Sequence, residues 1–240
     1  MKRRQFSWLG LAALATSGCS AAAARDASGA RRAPRTIHVA GDSTAAVFEA
    51  GDPRVGWGAV LAEQLVGVAV DPAARSGRSS KSYLDEGHWA SLLSRVASGD
   101  LVLIEFGHND QKLDPARATD AGTTFRDNLR RYVSDARAHH GVPVLLTPIC
   151  RRRFEGGRIR PTHGDFPEAT RAVAAATQTP LIDMTEQTRT LLEELGPEAS
   201  TQLFAPDDNT HTNRRGASEI ARLVVRNLVE LELGVTAKAV

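Results

Sequence analysis

The sequence predicts an α/β protein, a three-layer α/β/α sandwich around a five-stranded parallel sheet. Three observations carry that expectation. Five short apolar runs recur along the chain, each four to six residues long. Their hydrophobicity is continuous rather than alternating, which suits strands covered on both faces. Amphipathic segments of helical period lie between them, and strands that alternate with helices build a doubly wound sheet. The 240 residues are enough for one such domain with a sizeable core.

The elements follow in order. Residues 20–35 are small and charged and read as a flexible linker, so the globular pattern starts near Thr36. This divides the chain into an export signal with linker, 1–34, and one domain, 35–240. Thr36–Ala40 is the first strand, and Gly41 lets the chain turn sharply after it. Trp57–Leu65 is the first helix. Gly67–Val70 is the second strand, and His88–Ala97 the next helix. Leu101–Phe106 is the third strand. Thr123–His139 is a long helix, ended by Gly141 and Pro143. The fourth strand, Val142–Thr147, precedes a helix over Phe166–Ala176. Pro180–Asp183 is the fifth strand, with a helix over Glu186–Glu194 after it. Arg215–Leu233 closes the chain and stops at Gly234.

The amino terminus has a basic start (Lys2, Arg3, Arg4), a short apolar stretch and then small residues, the pattern of an export signal. Its apolar part is shorter than the roughly 20 residues that span a bilayer. Arg3-Arg4-Gln5-Phe6 resembles a twin-arginine signal. Thr16-Ser17-Gly18-Cys19 loosely resembles a lipoprotein box, although Thr16 replaces the usual aliphatic residue; simple cleavage among Ala21–Ala24 is the alternative. The expected location is the periplasm or the cell surface, with contact to a membrane only through a lipid on Cys19. The formal charge of +2 includes those three basic residues. Without residues 1–18, 27 basic side chains face 28 acidic ones, which argues against nucleic acid as a partner. Cys19 and Cys150 are the two cysteines. With Cys19 removed or acylated, Cys150 has no partner within the chain, and stability must rest on the core. Cys150 follows an apolar run and reads as a small buried hydrophobe.

Ligands of open α/β sheets sit beyond the carboxyl ends of the strands. That rule singles out Gly41–Thr44, Gly107–Asp110 and Pro148–Arg153. Gly41-Asp42-Ser43-Thr44 is either a turn with a helix cap or the seat of a nucleophilic serine. It is not the Gly-x-Ser-x-Gly elbow. After the third strand, the Asn109 amide could donate to a developing oxyanion, or Asn109 and Asp110 could bond their own loop. Gly77, within Arg75-Ser76-Gly77-Arg78, would let a backbone N–H approach a ligand. Asp208-Asn209-Thr210-His211 puts a carboxylate three residues before an imidazole. Such a carboxylate can fix the ring tautomer and leave the other nitrogen as a base. A metal could use the same pair.

Taken in order, these blocks resemble the SGNH, or GDSL-like, hydrolases. That family shows a Ser in Gly-Asp-Ser, a Gly, an Asn in Gly-x-Asn-Asp and a late Asp-x-x-His. Here they fall on Ser43, Gly77, Asn109, and Asp208 with His211. The stretches around them are similar to the rhamnogalacturonan acetylesterase branch: Gly41-Asp42-Ser43-Thr44, Gly77-Arg78-Ser79-Ser80 with Glu86-Gly87, Phe106-Gly107-His108-Asn109-Asp110, Pro161–Asp165 and Asp208–Asn213. The resemblance runs from about Arg35 to the last helix. It implies a flavodoxin-like hydrolase fold and a serine esterase without cofactor or metal. Ser43, Asp208 and His211 would be catalytic, and Ser43, Gly77 and Asn109 would form the oxyanion hole. Asp207 is a rival orienting carboxylate, one residue further from His211 than the motif has it.

The implied substrate is an acetylated plant-wall polysaccharide or oligosaccharide, pectin-type first. Arg78 and Arg151, the latter beside Arg152 and Arg153, are placed to meet galacturonate carboxylates. His108 and Trp57 complete the substrate-binding candidates, and Trp57 serves equally well in the core. The absence of a large lipid-binding lid argues mildly against long acyl chains. Within the superfamily the alternative is a lysophospholipase or short-chain ester hydrolase. Two readings from other classes compete. His108, Asp110, His163, Asp165, Asp208 and His211 could serve a dinuclear metal phosphoesterase, although the early Asp-x-His run of such sites is missing. A carbohydrate-binding protein with a decayed site is the other. No oligomeric state is read from the chain.

Overall fold

In the computed structural model, which describes residues 35–239, the first apolar run forms β1 (Thr36–Gly41). The export signal, the linker and Cys19 lie outside the described residues. β1 pairs in parallel with β2 (Ala69–Asp71) on one side and with β3 (Leu101–Glu105) on the other. β4 (Val142–Leu146) pairs with β3, and β7 (Leu181–Ile182) closes the far edge; β5 (Phe154–Glu155) and β6 (Arg158–Ile159) stand outside this sheet. The strand order is therefore β2-β1-β3-β4-β7. The order reverses between β1 and β3, and that switch point is where the sheet opens a crevice at its carboxyl end. The α/β fold is as expected.

Side chains alternate across the pleat, so each strand feeds two apolar layers. Ile37, Val39, Leu101, Leu103, Val144 and Leu146 face one layer. Over it pack α1 (Trp57–Val60) and α7 (Arg214–Glu230), the latter through Ala217, Ile220, Ala221, Val224 and Leu228. Ala40, Val102, Ile104 and Leu145 face the other. There Trp89 and Leu92 of α3 (His88–Leu93), Phe125, Leu129 and Tyr132 of α4 (Thr124–Ala138), and Ala169 and Val173 of α5 (Phe166–Thr177) cover the sheet. The 3.6-residue spacing of those residues is what places them on one helix face.

Local departures from the expected elements have local causes. The second strand starts at Ala69 because Gly67 turns with φ +69°. The first helix tightens after Val60 into a 3₁₀ turn, Leu61–Gln64. α2 (Ser80–Asp85) was hidden in a serine-rich stretch: Ser79 caps it, its hydroxyl accepting from the Ser82 N–H while the Ser82 hydroxyl accepts from the Ser79 N–H. α6 (Met184–Ala199) outruns its apolar pattern and kinks at Gly196, φ +74°, ahead of Pro197. A hairpin of β5 (Phe154–Glu155) and β6 (Arg158–Ile159) follows β4, turning at Gly156-Gly157, both with positive φ. Two-residue strands between arginines show too little alternation to be seen in sequence.

Candidate active site

β1 delivers Gly41-Asp42-Ser43-Thr44 to the carboxyl edge of the sheet. The loop is held from below. The Asp42 carboxylate accepts from the Thr44 N–H at 2.9 Å and the Thr44 hydroxyl at 2.8 Å. Glu105, the last residue of β3, is fully buried beneath it. Its carboxyl accepts from the Trp57 indole N–H at 2.6 Å and the Ile149 N–H at 3.1 Å, and Thr44 Oγ1 lies 3.4 Å away. Burial and the nearby Asp42 push the Glu105 carboxyl up to about 8. Burial also raises Asp42, against the pull of Thr44, His211 and Arg151. A single acidic residue inside a continuous apolar run is the signal by which Glu105 stands out, since buried carboxyls are rare without partners.

The second loop reaches the same edge. Arg75 N–H donates to Gly41 O at 2.9 Å, and Gly77 adopts φ +79° with open space where a side chain would be. The third loop joins it: the Asn109 amide donates to Arg78 O at 2.9 Å, leaving its second N–H for another acceptor. Neither the Ser43 nor the Gly77 N–H donates to a described residue. Asp110 braces both loops, accepting from the Ser80 N–H at 3.0 Å, the Ser80 hydroxyl at 2.5 Å, the Gly107 N–H at 3.1 Å and the Thr119 hydroxyl at 3.0 Å. Burial lifts its carboxyl to about 7 even so.

The fourth loop brings a residue from the other end of the chain. Ala205 N–H bonds His211 O and Asp208 N–H bonds Ala205 O, which folds Asp208–His211 back on itself. Asp208 accepts from the backbone N–H of Thr210 at 2.7 Å and of His211 at 3.0 Å. Its other oxygen lies 2.7 Å from His211 Nδ1, and His211 Nε2 lies 2.9 Å from Ser43 Oγ. Partial burial raises the Asp208 carboxyl, but those N–H groups and the imidazole outweigh it and hold the group below the usual range. An ionised Asp208 only accepts, so Nδ1 carries the ring proton and Nε2 is free to accept from the serine hydroxyl. Phe48 meets the imidazole edge-on, with ring centroids 6.2 Å apart. Asp207 is exposed, with φ +57°, and makes no bond to His211 among the described residues.

The substrate-binding candidates fare differently. Trp57 is fully buried and bonded to Glu105, which corrects the expectation that it stacks on a sugar. His108 is also buried, its Nδ1 at 3.2 Å from His163 Nε2. Burial drives its basicity well down, and burial with the nearby Arg151 lowers His163 to about 3, so the two form a neutral pair behind the site, not an exposed sugar contact. Arg151 is half-buried and ties loops together, donating to Thr162 O at 3.1 Å and His108 O at 3.2 Å. Arg78 is at the surface and pairs with Glu86 at 2.8 Å. Burial raises the Cys150 thiol to about 11, which leaves it unreactive at neutral pH. Among the described residues, no three His, Cys, Asp or Glu side chains gather as metal ligands.

A hydroxyl, an imidazole and a carboxylate in hydrogen-bonded line, at the switch point of a five-stranded parallel sheet, have the arrangement of a serine hydrolase. The chain belongs to the GDSL-like lipase/acylhydrolase family, whose profile matches residues 39–218, and it is a carboxylic ester hydrolase. It is 38% identical over 216 residues to the rhamnogalacturonan acetylesterase RhgT of Bacillus subtilis, covering 83% of this chain and 92% of that one. It is 30% identical over 215 residues to a rhamnogalacturonan acetylesterase of Emericella nidulans, covering 81% and 85%. Among solved structures, the Bacillus subtilis protein YxiM superposes with a TM-score of 0.76 at 26% identity, covering 83% of this chain and 57% of that one. An acetyl-xylooligosaccharide esterase of Geobacillus shares the fold, with a TM-score of 0.64 at 18% identity, over 82% and 95%.

Proposed function

We propose that this chain is a serine esterase that removes acetyl groups from acidic plant-wall polysaccharide, rhamnogalacturonan-type pectin first. The observation that carries the reading is the continuous bond path from Ser43 Oγ through the His211 ring to Asp208. The relatives named as rhamnogalacturonan acetylesterases support the choice of substrate.

Ser43 Oγ attacks the acetyl carbonyl while its proton passes to His211 Nε2. Asp208 stabilises the imidazolium and keeps its orientation. The oxyanion that develops on the carbonyl oxygen is met by the Ser43 N–H, the Gly77 N–H and the free Asn109 N–H. The bond to the sugar oxygen then breaks, and His211 returns the proton to that oxygen. Water attacks the acetyl-serine with His211 again as base, releasing acetate and restoring the hydroxyl. Apart from that water, every step uses groups of the chain itself. We also read the chain as exported to the periplasm or cell surface, where such polymers arrive; mass spectrometry of the mature amino terminus distinguishes an acylated Cys19 from cleavage among Ala21–Ala24.

The deciding experiment measures acetate release from acetylated rhamnogalacturonan, acetylated xylan and p-nitrophenyl acetate. Wild type is expected to act fastest on the first, and Ser43→Ala to lose all three. Release by Ser43→Ala at the wild-type rate would overturn the mechanism.

A further inference from the structure

The segment Arg151–His163 carries five arginines against one glutamate, and the proposed chemistry uses none of them. Both its ends are fastened to the walls of the site. Arg152 N–H donates to Asn209 O at 2.7 Å, inside the loop that holds Asp208 and His211. At the other end His163 sits against His108, next to Asn109. The β5–β6 hairpin therefore lies in a segment tied at both ends to loops of the site.

Three of its five guanidiniums have protein partners. Arg151 bonds Thr162 and His108, Arg152 donates to Pro197 O at 3.0 Å, and Arg158 pairs with Glu193 at 3.2 Å. Arg153 and Arg160 are exposed, and neither side chain bonds or pairs with any described residue. They are not scattered. Arg160 N–H donates to Arg153 O at 2.7 Å, one step along the ladder from the Phe154–Ile159 pair. Residues facing each other in an antiparallel ribbon project from the same side. Ile159 lies in a small core with Leu192 and Leu203, so the arginine pair takes the solvent side. Two like charges directly opposite are unfavourable unless an anion bridges them. They border a groove of about 550 Å³ lined by Arg153, Phe154, Glu155, Arg160, Pro161 and Thr162. That volume is within the roughly 300–1,000 Å³ of small-ligand sites.

We infer that Arg153 and Arg160 form a subsite for the carboxylate of a uronate sugar, flanking the acetylated sugar held at Ser43. Guanidinium forks match carboxylates in two-point geometry. The assignment to a flanking sugar rests on the esterase reading above; the carboxylate site itself does not.

Two measurements separate them. In the first, unacetylated oligogalacturonate is titrated into Ser43→Ala protein and into the same protein carrying Arg153→Gln and Arg160→Gln. The arginines are expected to tighten binding about tenfold, the size of two partly exposed charged contacts. The advantage should fade with added salt, and a neutral galactose oligomer should not share it. Equal affinity with and without the arginines overturns the inference, whatever the enzyme's activity. In the second, the ratio of kcat/KM on acetylated rhamnogalacturonan to that on acetylated xylan is compared. The double variant should lower this ratio about tenfold, mostly through KM; an unchanged ratio places the pair outside the substrate path. If wild type releases no acetate from any substrate, the esterase reading falls while the titration still decides the carboxylate site.

Discussion

At the scale of single residues, the proposed catalysis depends on groups that short backbone motifs hold in place. Asp208 is anchored by two N–H groups of its own loop, so its carboxylate is fixed before it touches the imidazole. Asp208→Asn keeps the shape but loses the charge that holds the Nδ1 proton, and should cut kcat by about 10⁴. Asp207→Asn should leave turnover alone, since that side chain faces solvent; steady-state kinetics on p-nitrophenyl acetate separates the two neighbours. Asn109→Ala removes one proposed oxyanion donor and should lower kcat by about 10²–10³ with little change in KM. An effect on KM alone would mean that the amide only binds substrate.

At the scale of elements, the nucleophile loop stands on a buried carboxyl. The Glu105 group binds its proton more tightly in the folded chain than in the unfolded one, where its value is 4.5. Between 4.5 and about 8 the folded state holds more protons, so this group's contribution to stability is full below the lower value and is lost as pH rises through the upper one. Glu105→Gln should therefore flatten the decline of stability across that window, read by denaturant unfolding at a series of pH values. A variant with the same slope as wild type would mean that Glu105 is ionised throughout. The start of α7 gives a second test. A Cβ on Gly216 would lie 1.9 Å from Leu203 O, immediately behind the His211 loop. Gly216→Ala should lower Tm by several degrees and activity together, because the helix start and the loop move as one.

At the scale of the whole molecule, the sheet and its two apolar layers hold Ser43 and His211, 168 residues apart in sequence, within 2.9 Å. Leu103 is fully buried in the central strand, and Leu103→Ala should cost about 2–5 kcal/mol in denaturant unfolding. Activity per folded molecule should stay near wild type, since the proposed chemistry lies on the loops and not in the strand interior.

Five sheet strands and the long helices were legible because burial on two faces, or on one helix face, leaves a period in the residues. The four motif loops were legible because special backbone shapes and polar chemistry restrict residue choice: Gly77 for its positive φ, Asp208 for its spacing to His211. The hairpin and α2 were not, since two-residue strands and a serine-capped turn carry too little apolar pattern. Side-chain exposure was not legible either. A tryptophan or histidine near the site has the same letter whether it faces a sugar or a buried carboxyl, and packing alone put Trp57 on Glu105 and His108 on His163. Residue chemistry and its order along the chain thus determined by themselves the kind of sheet and the residues proposed to react. The assembled structure decided which arginines stand unpaired among the described residues and which carboxyls are pushed above their usual range, because desolvation and charge pairing depend on neighbours that chain order does not reveal.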